Sequence, residues 1–114
     1  MNTQLDYFKA VTELHYMTII ENLADNLTPT TRSHVKRLMT EYAQLEPGIM
    51  NIILVYALRL KKGHIPGYNY LKKMVISWIE NYKIDTAQKA FQFFINRMNY
   101  ERTKNDHLKK KVIN

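Results

Sequence analysis

The 114-residue sequence contains no cysteine and very little glycine or proline. The absence of cysteine excludes disulfide scaffolds, zinc sites built from thiolates, and cysteine nucleophiles. Glycine and proline together account for six residues, all between Pro29 and Gly67. Because these residues interrupt regular elements, we expect the flanks, 1–28 and 68–114, to form helices rather than a turn-rich β fold.

Long apolar runs are also missing. No stretch reaches the roughly 18 apolar residues that cross a bilayer. The amino terminus lacks the basic and apolar regions of a secretion signal. We therefore expect a cytoplasmic protein, and the sequence gives no support for membrane association.

Acidic residues are scarce in the second half of the chain. Residues 1–58 contain four Lys or Arg against six Asp or Glu, whereas residues 59–114 contain thirteen against four. The net charge of +7 therefore divides into −2 and +9. This asymmetry indicates a surface for a polyanionic partner in the C-terminal half, with a charge that serves only solubility as the alternative.

Signatures of catalysis are absent from the sequence. None of the histidines, at positions 15, 34, 64 and 107, has another histidine at metal-binding spacing. No glycine-rich phosphate loop or nucleophile elbow occurs, and the carboxylates are scattered. We expect a protein that is not an enzyme and that has no catalytic residue, metal, cofactor or small-molecule substrate.

Helical patterns fill the first half of the chain. Residues 3–26 form an amphipathic segment, either one continuous helix or two helices with a break near residues 12–15. Thr28 is a typical N-cap, and Pro29 suits the first position of the next helix. Ten of the twelve residues from 49 to 60 are apolar, which is typical of a central, buried helix.

The second half continues the helical patterns. A fourth helix is predicted over 67–82, and a fifth begins after Asp85, with Gln88 completing a capping box. The predicted fold class is therefore all-α, a compact bundle of about five helices around the central buried helix 49–62. Residues 1–98 form the domain, and the basic tail 99–114 is a helical extension or disordered.

Three segments of the sequence carry a family resemblance. Leu45–Leu58 reads LEPGIMNIILVYAL, residues 70–78 read YLKKMVISW, and Lys83–Ala90 reads KIDTAQKA. In this order and at these separations they resemble the DnaD-like C-terminal domain of the DnaB/DnaD replication-initiation and helicase-loader family of low-GC Gram-positive bacteria and their phages. The resemblance is closer to the branch of co-loader and membrane-attachment proteins. Asn81 and Tyr82 depart from the family, which often has a small residue there.

The resemblance implies an all-α module that binds DNA, preferring single strands, and assists helicase loading in the primosome. It also implies contacts with other primosomal proteins or a helicase loader, and self-association into a homo-oligomer. The alternative is a module for protein–protein interaction or oligomerisation with little DNA binding of its own. A duplex-reading helix-turn-helix ranks third, because no helix has the polar, exposed pattern of a recognition helix.

Basic residues near the predicted fourth helix and in the tail are the candidate phosphate contacts, together with two tyrosines able to stack on bases. The alternatives are a solvated face for the first group and a solubilising end for the tail. The candidates are Arg59, Lys61, Lys62, Tyr70, Lys72, Lys73, Lys83, Tyr100, Arg102, Lys104, Lys109, Lys110 and Lys111.

The family motif on the fourth helix consists of Tyr70, Met74 and Trp78. Helical-wheel geometry places Trp78 near the centre of the apolar stripe, and thus in the core, and Tyr70 at its flank, where it either packs or stacks on a base. Ile76 and Phe93 lie off the apolar stripes and are predicted to be exposed. They are either isolated apolar residues or parts of an interface with a partner.

Overall fold

The computed structural model describes the backbone of residues 3–113 and the side chains of residues 4–102 and 104. Every regular element within residues 3–113 is helical, so the all-α prediction is confirmed. The α-helices are α1 (Thr3–Glu13), α2 (Tyr16–Leu23), α3 (Pro29–Glu41), α4 (Ile49–Leu60), α5 (Tyr68–Ile76) and α6 (Ala87–Ile113). A π-helix, Ser77–Asn81, directly continues α5.

Helix α4 lies at the centre of the bundle and contacts α1, α2, α5 and α6. From Ile49 to Leu58 every residue except Asn51 is buried. A helix that is apolar on all sides is stable in water only when other helices cover each side, which explains this position. The predicted central helix is confirmed.

Asn51, the one residue from Ile49 to Leu58 that is not buried, explains the break in the first predicted segment. Its side-chain amide donates hydrogen bonds to the carbonyl oxygens of Val11 and Leu14, at 2.9 and 2.7 Å. These carbonyls lie at the end of α1, where the helix itself offers no partner. Helix α2 then starts at a new N-cap, His15, whose Nδ1 accepts from the backbone N–H of Met17 at 3.1 Å.

The predicted start of α3 at Thr28 and Pro29 is confirmed. Thr28 caps α3 reciprocally with Thr31, and Pro29 occupies the first turn. Gly48 precedes α4 with φ of 99°, a conformation that favours glycine. A Cβ at Gly48 would lie 2.6 Å from Cγ2 of Thr12, so α1 and the start of α4 approach too closely for a side chain.

The predicted cap of the last helix is wrong by one residue. Helix α6 begins at Ala87, so Thr86 is the N-cap, and its hydroxyl accepts from the N–H of Lys89 at 3.1 Å. Asp85 instead pairs with the Lys89 ammonium at 2.8 Å, and Glu46 accepts from the N–H of Ala87. Asp85 and Thr86 are both residue types that cap helices well. Because Glu46 accepts from the N–H of Ala87, the helix begins at Ala87 and Thr86 is the cap.

Helix α6 passes beyond the core. Its buried residues, Ala87, Ala90 and Phe94, lie in its first part, and its backbone remains helical to Ile113. The two alternatives for the tail stay predictions. The predicted contacts at Lys109, Lys110 and Lys111 lie outside the side chains that the structure describes.

Candidate functional site

A groove of about 320 Å³ opens between α4, α5, the π-helix and the middle of α6. We call it the aromatic groove, because half of its lining residues are aromatic. It is lined by Tyr56, Leu60, Tyr70, Lys73, Met74, Ser77, Trp78, Tyr82, Phe93 and Arg97.

The floor of the aromatic groove is a chain of rings that runs outward from the core. Tyr56 contacts Trp78 with ring centres 5.4 Å apart, Trp78 contacts Phe93 at 4.6 Å, and Phe93 contacts Tyr82 at 4.6 Å. Only 3% of Trp78 is exposed, so its predicted core position is confirmed.

The rim carries two exposed aromatic side chains. Tyr70 is 41% exposed and Tyr82 is 53% exposed. Tyr70 and Trp78 belong to the family motif, and its middle residue, Met74, is half-buried between them in the lining. The motif thus supplies a core residue, Trp78, and an accessible ring, Tyr70, because its residues point in different directions around the helix axis.

Three cations accompany these rings. Lys73 and Arg97 line the aromatic groove, and Nζ of Lys61 lies 4.8 Å from the centre of the Tyr70 ring. Within the described side chains, no carboxylate oxygen lies within 4 Å of any of the three. Their positive charge is therefore not cancelled by an ion pair there.

Arg97 is held in place from several sides. Interaction with the hydroxyl of Tyr56 raises the pKa of the guanidinium above its ordinary value, and the charges of Tyr82 and Glu101 act in the same direction. Its guanidinium carbon lies 6.0 Å from the Phe93 ring and 5.7 Å from the Tyr100 ring. A guanidinium positioned by aromatic rings is preorganised to meet an anion.

The π-helix forms one side of the aromatic groove. The N–H of Tyr82 donates to the carbonyl of Ser77, five residues earlier, at 3.2 Å. This wider turn places Trp78 and Tyr82 at the floor and the rim of the same groove. Short π-helical insertions occur frequently at functional sites. The two residues that depart from the family pattern, Asn81 and Tyr82, lie at its end.

The predicted exposure of Phe93 is wrong. Phe93 is half-buried and packs edge-on against Trp78. The apolar stripe of α6 faces α4, but a second side of α6 packs against the π-helix. Phe93 lies on this second side. Ile76, by contrast, is 37% exposed, as predicted. The two residues therefore do not form one exposed apolar surface.

Lys72, one of the predicted phosphate contacts, does not present a free ammonium. Its Nζ lies 3.2 Å from Oε2 of Glu41 and 3.4 Å from the hydroxyl of Tyr68. These contacts raise the pKa of Lys72. The pKa of Glu41 is lowered, chiefly because the Tyr68 hydroxyl donates to it and also because of Lys72 and Arg37.

The remaining predicted basic residues lie outside the lining of the aromatic groove. Lys62 and Lys83 are exposed in turns, each with positive φ, at 54° and 56°. Arg102 and Lys104 are exposed on the α6 extension, and Tyr100, also exposed, reaches Arg97. Arg59 turns toward α1 and donates to the Tyr7 hydroxyl at 2.9 Å.

Sequence reasoning missed Tyr82 and Arg97. Tyr82 follows Trp78 by four residues and Arg97 follows Phe93 by four, but this spacing fits a regular α-helix equally well and does not by itself mark a groove. The sequence does not predict their roles, because Phe93 is expected to be exposed and residue 82 is expected to end a regular α-helix.

Two further properties of the described residues bear on function. They contain no group of three His, Asp or Glu side chains arranged to hold a metal ion. Among their helices, none is long and apolar enough to span a membrane.

The chain was compared with models of protein families, with curated proteins and with solved structures. None of the three comparisons finds a match. The resemblance to the DnaD-like domain therefore stays a prediction that rests on the three quoted segments.

Proposed function

We propose that this protein is a non-catalytic module that binds single-stranded DNA in the aromatic groove and assists helicase loading during replication initiation. The observation that carries the DNA-binding part is the juxtaposition of two exposed tyrosine rings with three cations that form no ion pair among the described side chains. Tyr70 and Tyr82 supply the rings, and Lys61, Lys73 and Arg97 supply the charges.

The preference for single strands follows from the shape of the site. An aromatic side chain stacks on a base only when the base is free of its neighbours in a duplex. The groove holds about 320 Å³, enough for a base or two but not for a double helix. Stacking on Tyr70 and Tyr82 is worth about 1–3 kcal/mol per base and is tolerant of sequence.

The phosphate contacts follow from the charges. Lys73 and Arg97 border the groove, and Lys61 lies over the outer ring. A strand stacked on the rim would bring its phosphates within reach of these cations, which release condensed counterions on binding. The helicase-loading role rests on the family resemblance alone.

A second candidate function is a docking module for another primosomal protein. Ile76 favours it, because this exposed apolar side chain follows the motif residue Met74 by two positions on α5. Under this alternative, Ile76→Asp abolishes a protein complex and leaves DNA affinity unchanged.

Titration of the protein with labelled oligothymidylate and with a duplex of equal length, followed by fluorescence anisotropy, tests the proposal. We expect Tyr70→Ala and Arg97→Gln each to weaken single-strand binding about tenfold, the loss expected for one stacked base or one charge-assisted contact. Lys36→Gln, which removes an exposed lysine from α3, is the matched control and keeps near-native affinity.

The single tryptophan offers an independent readout. Trp78 lies at the floor of the groove, so a strand bound there changes its emission, whereas a strand bound elsewhere does not. Unchanged affinity in both groove variants, with no change in tryptophan emission, would exclude the aromatic groove as the site.

A further inference from the structure

A second groove, of about 230 Å³, lies on the other flank of α6, between that helix and α1. Its α6 side consists of Phe91, Phe94, Ile95 and Met98, whereas Phe93 and Arg97 of the same helix line the aromatic groove. Gln4, Tyr7 and Arg59 complete the wall. We call it the α1–α6 groove.

The floor of the α1–α6 groove is apolar. The ring of Phe94 is buried, and the rings of Phe91 and Phe94 stack with their centres 6.1 Å apart. Ile95 and Met98 are half-buried and lead outward toward the free part of α6. At about 230 Å³ the groove is smaller than the roughly 300–1,000 Å³ of a typical small-molecule site. It suits one large apolar side chain.

Arg59 places a positive charge at the edge of this apolar floor. Its Nη2 donates to the Tyr7 hydroxyl at 2.9 Å, and its guanidinium carbon lies 5.2 Å from the Tyr7 ring and 5.8 Å from the Phe94 ring. Within the described side chains, no carboxylate lies within 4 Å of it. The guanidinium is thus oriented by two rings and retains donors for an incoming anion.

An apolar pocket beside an oriented guanidinium selects a ligand that carries an apolar side chain next to a carboxylate. The last residue of a peptide carries its side chain and its carboxylate on the same carbon, Cα, so the ring enters the pocket while the carboxylate forms paired hydrogen bonds with Arg59. Further acidic residues are favoured by the +9 net charge of residues 59–114.

We propose that the α1–α6 groove binds the C-terminal end of an acidic partner peptide, with a terminal phenylalanine or similar side chain in the pocket and its carboxylate on Arg59. This inference goes beyond DNA binding in the aromatic groove and does not depend on it. A module with both sites would hold a DNA strand and an acidic protein tail on opposite flanks of one helix.

The test measures fluorescence anisotropy of a labelled, aspartate-rich peptide that ends in leucine and phenylalanine, titrated with the whole protein. We expect Arg59→Gln to weaken binding about tenfold or more, as does replacing the terminal carboxylate with an amide. Met98→Glu places a negative charge in the pocket, which repels the terminal carboxylate of the peptide and abolishes binding. Far-ultraviolet circular dichroism verifies that each variant folds.

Lys61→Gln is the matched control, because it removes a positive charge two residues from Arg59 that lies over the Tyr70 ring instead of the α1–α6 groove. It leaves peptide affinity near native while lowering DNA affinity. Equal affinity of wild type and Arg59→Gln, or of the acid and amide peptides, overturns the proposal. So does sedimentation that shows a dimer which Arg59→Gln converts to a monomer, because a second copy then occupies the groove.

Discussion

Phe93 packs edge-on against Trp78, with their ring centres 4.6 Å apart. This contact joins α6 to the π-helix and closes the aromatic groove from below. Phe93 also contacts Tyr82 on its outer side at 4.6 Å, so the ring links the buried floor to the exposed rim.

Replacing Phe93 with alanine therefore disturbs both stability and the groove. We expect Phe93→Ala to lower the free energy of unfolding by about 2 kcal/mol, less than for a fully buried ring. Loss of the neighbouring ring also exposes Trp78, so its emission shifts to longer wavelength. Urea unfolding followed by tryptophan fluorescence measures both effects.

Ile76→Ala is the control for this change, since Ile76 is an exposed apolar residue on the adjoining turn. Its unfolding free energy should remain within about 0.5 kcal/mol of the native value. A Phe93→Ala variant as stable as Ile76→Ala would contradict the packing described for this ring.

The amide of Asn51 ties the end of α1 to the central helix. We expect Asn51→Ala to destabilise the protein by about 2 kcal/mol, because the carbonyls of Val11 and Leu14 lose their donors. Amide hydrogen exchange should accelerate in residues 5–13 more than in α5. Asn69→Ala, at an exposed position on α5, serves as the control and leaves exchange in α1 unchanged.

Gly48 and Gly67 differ in what they require of the backbone. Gly48→Ala combines a φ of 99° with a contact of 2.6 Å to Thr12, and we expect a loss of about 2 kcal/mol or more. A Cβ at Gly67 meets no described atom within 4 Å, so Gly67→Ala should cost only the difference between glycine and alanine as N-cap of α5, about 1 kcal/mol or less. Thermal unfolding of the two variants gives the comparison, and equal melting temperatures would refute the close approach of α1.

The Glu41 carboxylate makes stability depend on acidic pH. Its pKa is lowered in the folded protein from an ordinary value of 4.5, so the unfolded chain takes up the proton first. The stabilisation is therefore complete above about pH 4.5 and is lost as pH falls through the lower, folded pKa.

Glu41→Gln removes this contribution, so its stability should fall less steeply than that of the wild type as the pH is lowered. The pKa of Asp85 is also lowered, by Lys89, so Asp85→Asn provides the comparison for a single pair on α6. Parallel urea titrations across the acidic range measure the slopes. Identical slopes for wild type and Glu41→Gln would contradict the role assigned to Glu41.

Salt dependence separates the aromatic groove from the α6 extension. Stacking on a tyrosine ring is nearly independent of salt, whereas phosphate neutralisation is not. We expect Tyr70→Ala to lower single-strand affinity with an unchanged slope of log affinity against log salt. Replacing Lys109, Lys110 and Lys111 together with glutamine should reduce that slope by up to about 2.

Anisotropy at several salt concentrations measures both slopes. If the triple variant retains the native slope, Lys109, Lys110 and Lys111 make no phosphate contacts. If Tyr70→Ala changes only the slope, the tyrosine does not stack on a base.

Several elements of the fold were predictable because the local sequence pattern of each is compatible with a single structure. The uninterrupted apolar character of α4 required a central position, and Thr28 with Pro29 required a helix start. The break before α2 was predictable as an alternative, but its cause was not. The donor that satisfies the α1 carbonyls is Asn51, which is 37 residues away from Leu14 in sequence.

The candidate site was predictable only in part. The motif identified Tyr70, Met74 and Trp78, and the basic pattern identified Lys73; all four line one groove. The π-helix was not predicted, because an apolar stripe with spacings of three and four residues fits an α-helix equally well. Arg97 and Tyr82 gained their positions from the packing of α6 on this π-helix, a tertiary contact that periodicity alone does not reveal.

The burial of α4 on every side has a consequence for folding. Because α4 contacts helices from both ends of the chain, α1 and α6, no contiguous part of the sequence can cover it alone. Unfolding should therefore be a single cooperative transition, and fragments that lack either terminal helix should expose apolar surface and aggregate. During synthesis, this segment would stay uncovered until the start of α6 has left the ribosome.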